Sequence, residues 1–396
     1  MDDADRQVEL EQSQAFPEYD RQRKKEELMK KLSRHNPKRR KLGIEVVRGT
    51  DGEPIIEKNA AGDHLCKHWG DKFKQHPIDS KSAKSLTRVF SKRFPVIQWM
   101  LTFAAFVEII NSCKASAPGP DGVPYAAWSS DVRVQVVLCS AYIRWLLTGY
   151  VPIFFNVAYL WLLPKCVPEN GIFNPSDTRP LSGANTDAKI FAMALADRIN
   201  SVISAWAIDV QRGFIRGRPM LQNVIDLEVH AIAKAYVRWN SAALILFDFA
   251  AAFPSLDREF IWIALKAIGI PTDIICATRG LYVNNIHFVK GEFGLRFAFV
   301  VLSGVRQGCP LSSTLFVLVT DCIFAALKQM VGPRDIIRGY ADDIGIVIRD
   351  IWESGPRVSS VFKCIALISQ LHLNGKKCVL IPLWKADEED VATMIG

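Results

Sequence analysis

Ile336-Ile337-Arg338-Gly339-Tyr340-Ala341-Asp342-Asp343-Ile344-Gly345-Ile346-Val347-Ile348 sets two adjacent carboxylates between two apolar runs. The β-branched residues on either side are strand formers, and a tight connection carrying Asp-Asp suits the turn of a β-hairpin. Taken alone, the pair reads first as a solvated turn, because Asp is a common turn residue. A third carboxylate changes that reading. Asp248 ends the run Ala242-Ala243-Leu244-Ile245-Leu246-Phe247, so one buried strand delivers an acid at its end and one hairpin delivers two. Carboxylates converging from separate strands are what two Mg²⁺ ions ~3.5–4 Å apart require for in-line phosphoryl displacement, which makes nucleotidyl transfer the sharper reading.

The chain has 396 residues, 49% hydrophobic and 23% charged, enough apolar surface for at least one large core and too much for a mainly disordered protein. Its net charge of +8 is unevenly placed: residues 1–20 carry −6, residues 21–41 carry +9, and the body from Leu42 onward carries +5. A mildly basic body suits a polyphosphate partner. Residues 1–60 read as a polar and basic arm, expected to be disordered in part, with one short charged helix over Glu26–Leu32. The run Pro37-Lys38-Arg39-Arg40-Lys41 is a candidate for nuclear import or for phosphate binding, against the simpler reading of a solvated charge run.

Nine cysteines without a CxxC pair point to reduced thiols, and an acidic start lacks the cations of a signal peptide, so an intracellular protein is expected, with the nucleus as the candidate compartment. Phe94–Ile110 is broken by Gln98 and Glu108, and Val151–Pro164 is shorter than the ~20 residues of a spanning helix. Both read as core, and no membrane association is expected. His64, Cys66, His68 and His76 match no zinc spacing and stay unassigned.

Residues 61–150 read as a helical upstream region, with a buried helix over Phe94–Cys113 and another over Val134–Leu147. Between them, Ala115–Pro124 holds three prolines and two glycines and reads as a loop. Tyr159–Leu163 and Thr178–Ser182 read as strands joined by a polar connection over Glu169–Asn174, with Lys165 and Arg179 flanking the hairpin as triphosphate-binding candidates or ordinary surface charges. In Gln211-Arg212-Gly213-Phe214-Ile215-Arg216-Gly217-Arg218, Arg212, Arg216 and Arg218 are phosphate-donor candidates, with a solvated basic loop as the alternative. Helices are expected over 219–238, 258–268 and 313–330, the last opening after the Gly-containing loop Gly304–Ser312, and a strand over Val379–Pro382.

Set in order, these blocks resemble the reverse transcriptase domain of non-LTR (LINE-like) retrotransposons and, more distantly, group II intron reverse transcriptases. Ala117-Pro118-Gly119-Pro120-Asp121-Gly122 resembles the upstream signature of that family, and Leu163-Pro164-Lys165 with Arg179-Pro180-Leu181 resembles its fingers motifs. The block Gln211–Arg218 comes next, followed by Phe247-Asp248 through Phe253, then Gln307–Ser312, then Tyr340–Asp343, and finally Leu373-Asn374 with Lys377. Ala251, Pro254 and Gln370 depart from the family pattern without removing a metal ligand.

The resemblance implies an α+β right-handed polymerase fold over 151–396, with fingers at about 151–235, a palm at about 236–396 whose antiparallel sheet packs on helices, and no recognisable thumb. It implies RNA-directed DNA polymerase activity on an RNA template, a DNA primer and dNTPs, supported by two Mg²⁺ ions for which Mn²⁺ could substitute. Asp248, Asp342 and Asp343 would be the metal ligands. Lys165 and Arg179 would contact the triphosphate. Phe253, otherwise a core aromatic, would exclude a ribose 2′-hydroxyl. Gln307 and Gly308 would line the template side, and Lys377 would donate a proton to pyrophosphate. The alternatives are an inactive retroelement fragment that binds nucleic acid as a scaffold, and an RNA-templated RNA polymerase.

Overall fold

The computed structural model describes residues 44, 46–114, 116–165, 168–237, 241–291, 294–387 and 390. The expected helix over Glu26–Leu32 and the basic run Pro37–Lys41 lie outside them. The chain divides into two units, one from 1–58 with 164–178, the other from 59–163 with 179–396.

In the smaller unit, Val46–Arg48 pairs antiparallel with Pro54–Ile55 and parallel with Ile172–Phe173. The connection expected over Glu169–Asn174 therefore contains a short strand. Its apolar Ile172-Phe173 pair finds a partner in Val46-Val47, far away in sequence.

The larger unit is built on two sheets. The first runs in the order Val379–Pro382, Ala243–Phe247, Asp343–Ile348, Ile336–Tyr340, antiparallel throughout. Its strands alternate in facing. Ile344, Ile346 and Ile348 join Ile245 in the main core with the helices Arg258–Ile268, Pro310–Met330 and Ile351–Ser369, while Val347 and Ile336 turn to the other face under Leu227 and Ala231 of the helix Met220–Tyr236. Both faces are covered, which is why the strand reads as an unbroken apolar run. The 21-residue helix Pro310–Met330 is long and apolar enough to cross a membrane, but here it is the buried centre of the core. Pro310 occupies its first turn, where the missing N–H costs nothing.

The second sheet runs in the order Thr178–Ala184, Ala158–Pro164, Ile286–Gly291, Gly294–Val300, the last two strands forming a hairpin. Leu160, Phe299 and Val301 close on Cys66, Trp69 and Phe73 of the segment around the helix Lys58–Lys72. The strands at 158 and 178 fall where the sequence places them; the pair at 286 and 294 was not read from it.

One helix is shorter than expected. Helical structure covers Phe103–Ser112 and not the whole of Phe94–Cys113. Pro95 disfavours helical backbone at Phe94, and Thr102 caps the later start by accepting a hydrogen bond from the Ala105 amide at 3.2 Å. The Pro/Gly block after it is anchored, since the Asp121 amide donates to Asn185 Oδ1 at 3.3 Å and Lys189 Nζ to the Ala117 carbonyl at 3.4 Å.

Candidate active site

The antiparallel register pairs Ile344 with Phe247, so the next position outward sets Asp343 at the end of one strand beside Asp248 at the end of its neighbour. Tyr340 pairs with Asp343, which leaves Ala341-Asp342 as a two-residue turn with Ala341 in the left-handed region at φ 59°. Asp248 is held from the other side, where the Asn374 amide donates to its main-chain carbonyl at 2.8 Å. Phe249 bridges Leu373 there, which fixes the segment carrying Lys377. Lys377 Nζ stands 3.8 Å from Asp248 Oδ2.

Asp342 and Asp343 both feel the charge of Asp248. Burial, then the charges of Asp343 and Asp248, push the Asp342 carboxyl above the ordinary carboxylate range, with Lys377 working against them. Partial burial and Asp248 do the same to Asp343, again opposed by Lys377. Like charges gathered at a strand end, with one exposed ammonium beside them, are stabilised by an added cation. Among the described residues no three or more His, Cys, Asp and Glu side chains are gathered closely enough to hold a metal ion, neither the three acids as they stand nor His64, Cys66, His68 and His76. An open set of this kind suits a divalent cation that keeps water and substrate oxygens among its ligands.

Phe253 follows in the short helix Ala252–Ser255, half-buried, stacked on Phe316 at 5.1 Å and edged by the exposed ring of Phe214 at 5.8 Å. Its main-chain carbonyl accepts from the Val305 amide at 2.8 Å, tying it to the loop that carries Gln307 and Gly308. That loop in turn lies on Thr178–Ala184: the Ser182 amide donates to the Gln307 carbonyl at 2.8 Å. Gly308, at φ 94°, comes so close that a Cβ there would stand 2.9 Å from the Ser182 carbonyl oxygen. Arg179, exposed, projects from the same strand. Lys165 belongs to the smaller unit, where its ammonium donates to the Ser176 carbonyl at 2.6 Å.

Two of the three arginines expected to meet phosphate are engaged by the protein. Arg218 places its two terminal nitrogens on four main-chain carbonyls, Ser204 at 2.6 Å, Ala207 at 2.8 Å, Ile208 at 2.6 Å and Gln211 at 2.7 Å. It caps the C-terminus of the helix Thr186–Trp206, where carbonyls lack helical partners and a cation is favoured. Arg212 donates to Asn223 Oδ1 at 3.0 Å and Asp226 Oδ2 at 2.8 Å, an oxygen it shares with Arg338 at 2.6 Å. Burial opposes charge on Asp226, but the hydrogen bonds from Arg338 and Arg212 hold its carboxyl below the ordinary range. Only Arg216 of the three is exposed without such a bond.

Residues 167–387 match the family model described as reverse transcriptase (RNA-dependent DNA polymerase). The chain is 24% identical over 347 residues to the Transposon TX1 uncharacterized 149 kDa protein of Xenopus laevis, covering 83% of this chain and 26% of that protein. It is 26% identical over 275 residues to the retrovirus-related Pol polyprotein from type-2 retrotransposable element R2DM of Drosophila melanogaster, covering 67% and 25%. Among solved structures it is similar to apo telomerase from Candida Tropicalis truncated from the C-terminal domain, at 10% identity and TM-score 0.43 over 67% of this chain and 63% of that one. The chain thus spans about a quarter of the length of these two transposon proteins. With the family model matching more than half of it, and with transposon proteins among its relatives, the chain belongs to the reverse transcriptase (RNA-dependent DNA polymerase) family and is a domain of the non-LTR retrotransposon kind.

Proposed function

We propose that this domain extends a DNA primer on an RNA template with deoxynucleoside triphosphates. The observation that carries the reading is the meeting of Asp248 with Asp342 in the hairpin turn and Asp343 at the start of the next strand, acids whose repulsion would be relieved by divalent cations. Asp248 and Asp342 would hold the ions, with Asp343 beside them, and the ions, when bound, would activate the 3′-hydroxyl and neutralise the phosphoryl oxygens. Arg179, exposed on its strand, would supply a cation for the triphosphate. Gln307 and Gly308, fixed on the Arg179 strand, form the template side. Lys377, whose ammonium stands 3.8 Å from Asp248, would lend charge to the site and donate a proton to the leaving pyrophosphate.

Phe253 has a rigid back wall in Phe316, which suits a sugar gate. Replacing it with Ala should raise ribonucleotide incorporation about 10-fold or more in competition assays, since a site that excludes a group by shape loses that exclusion with the ring. Unchanged discrimination would remove the gate from the account. Arg216 remains the nucleic-acid contact of its loop, and Arg212 and Arg218 are assigned to the fold.

Primer extension on RNA with dNTPs and Mg²⁺, alongside primer–template affinity, tests the reading on the wild-type chain and on Asp342→Ala. Extension lost in the variant with affinity kept supports the polymerase. Affinity without extension in either protein leaves a nucleic-acid-binding scaffold.

A further inference from the structure

The segment read as a phosphate-binding loop also grips the hairpin that carries Asp342. Gln211 is fully buried, and its side-chain carbonyl accepts from two main-chain amides, Gly213 at 2.7 Å and Ala341 at 3.0 Å. Its amide nitrogen donates back to the Ala341 carbonyl at 3.3 Å. One side chain thus binds both polar groups of the residue before Asp342. Main-chain pairing reinforces the contact: the Gly339 amide donates to the Val210 carbonyl at 2.9 Å, and the Arg212 amide to the Gly339 carbonyl at 2.9 Å.

Gly213 completes it. A Cβ at 213 would fall 2.0 Å from the Ala341 nitrogen, so only glycine permits the approach. Two non-glycine residues lie in the left-handed region here, Phe214 at φ 60°, next after Gly213, and Ala341 at φ 59°, the residue Gln211 binds. L-residues occupy that region at a cost and persist there only where surroundings hold them. The direction of the Asp342 carboxylate follows from the backbone of the turn that Gln211 grips.

We propose that Gln211 is a positioning residue for the catalytic turn, a latch that, with Gly213, holds Ala341 left-handed and so aims Asp342. The role of the turn in synthesis rests on the polymerase reading above; the latch itself is a conformational statement that can be tested without activity. Gln211→Met keeps the length of the side chain and removes its hydrogen bonds, and Gln211→Glu keeps the acceptor and removes the donor.

Three quantities decide it on the full chain: amide hydrogen exchange at Ala341, primer–template affinity by fluorescence anisotropy, and single-turnover extension at saturating dNTP. Gln211→Met should melt cooperatively and bind primer–template within about 2-fold of wild type. It should exchange the Ala341 amide faster, and extend ~10- to 100-fold more slowly, the scale of loss expected when a reacting group is misplaced by about 1 Å. Gln211→Glu should fall between Met and wild type in both exchange and rate. Unaltered exchange at Ala341 in Gln211→Met overturns the latch. So does faster exchange with an unaltered rate, or a loss of primer–template affinity that parallels the loss of rate, which marks a general structural role. If the wild-type chain does not extend primers, the polymerase reading fails, while the exchange at Ala341 still decides the latch.

Discussion

Two segments of this domain are dense in charge, Arg338–Asp343 at the hairpin and Gln211–Arg218 packed against it, and they use that charge in opposite ways. At the hairpin, Asp342 and Asp343 face Asp248, and among the described residues the cation beside these acids is the exposed Lys377, 3.8 Å from Asp248, which leaves their charge only partly balanced. In the other segment, Arg218 has four carbonyls and Arg212 has Asn223 and Asp226, and both guanidinium groups are satisfied within the fold. Charge that the protein has already balanced supports structure. Charge left unbalanced at a strand end marks a site.

The sharpest way to break this contrast is at the hairpin. Asp342→Ala should reduce single-turnover extension by at least ~10³-fold, about 4 kcal/mol of transition-state stabilisation, with the melting temperature unchanged or raised, because a repelled carboxylate has been removed. A fall in stability alongside activity would show Asp342 to be a structural acid like Asp226.

Arg218→Ala should do the reverse. Removing the cap leaves helix-terminal carbonyls without donors and costs ~2–3 kcal/mol in denaturant unfolding, with primer–template affinity retained once folding is matched. A variant as stable as wild type but weak on nucleic acid would return Arg218 to the phosphate-binding role.

Asp226→Asn comes next. The folded carboxyl is held below its unfolded value, so it contributes stability above the unfolded pKa and loses it as pH falls through the folded one. The variant should lose ~1 kcal/mol at pH 7, the value being small because the pair is only partly buried, and should show a shallower acid limb below about pH 4. An acid limb identical to wild type would mean that Arg212 and Arg338 do not depend on Asp226 for their placement.

The carboxylates were legible in the sequence because β-branched runs announce their strands and a two-residue turn leaves Asp342 and Asp343 one place to go. The strands at 158 and 178 were legible too, from their own residues. What the sequence could not disclose were partners that every residue offers. Arg218 meets main-chain carbonyls, which leave no trace in the sequence, and the buried amide of Gln211 looks like any polar loop residue until Ala341 is seen beside it. The hairpin Ile286–Val300 went unread for a related reason: it earns its place through Trp69 and Phe73, more than 200 residues upstream.

Arg216 carries the smallest prediction and the cleanest separation of the two kinds of charge. It shares a loop with Arg212 and Arg218, yet it is exposed and makes none of their hydrogen bonds. Arg216→Ala should therefore leave unfolding free energy within ~0.5 kcal/mol of wild type, as surface substitutions away from caps and networks do. If the side chain meets a phosphate, primer–template affinity should fall about 3- to 10-fold and the slope of log affinity against log salt should shrink by about 1, the signature of one lost counterion-releasing contact. Measuring that slope matters more than the affinity itself. A general loosening of the loop would weaken binding at every salt concentration by the same factor, whereas loss of one phosphate contact converges with wild type as salt rises. Parallel salt lines would assign Arg216 to the loop's structure with its two neighbours, and converging lines would make it the one arginine of the three that the fold leaves free for nucleic acid.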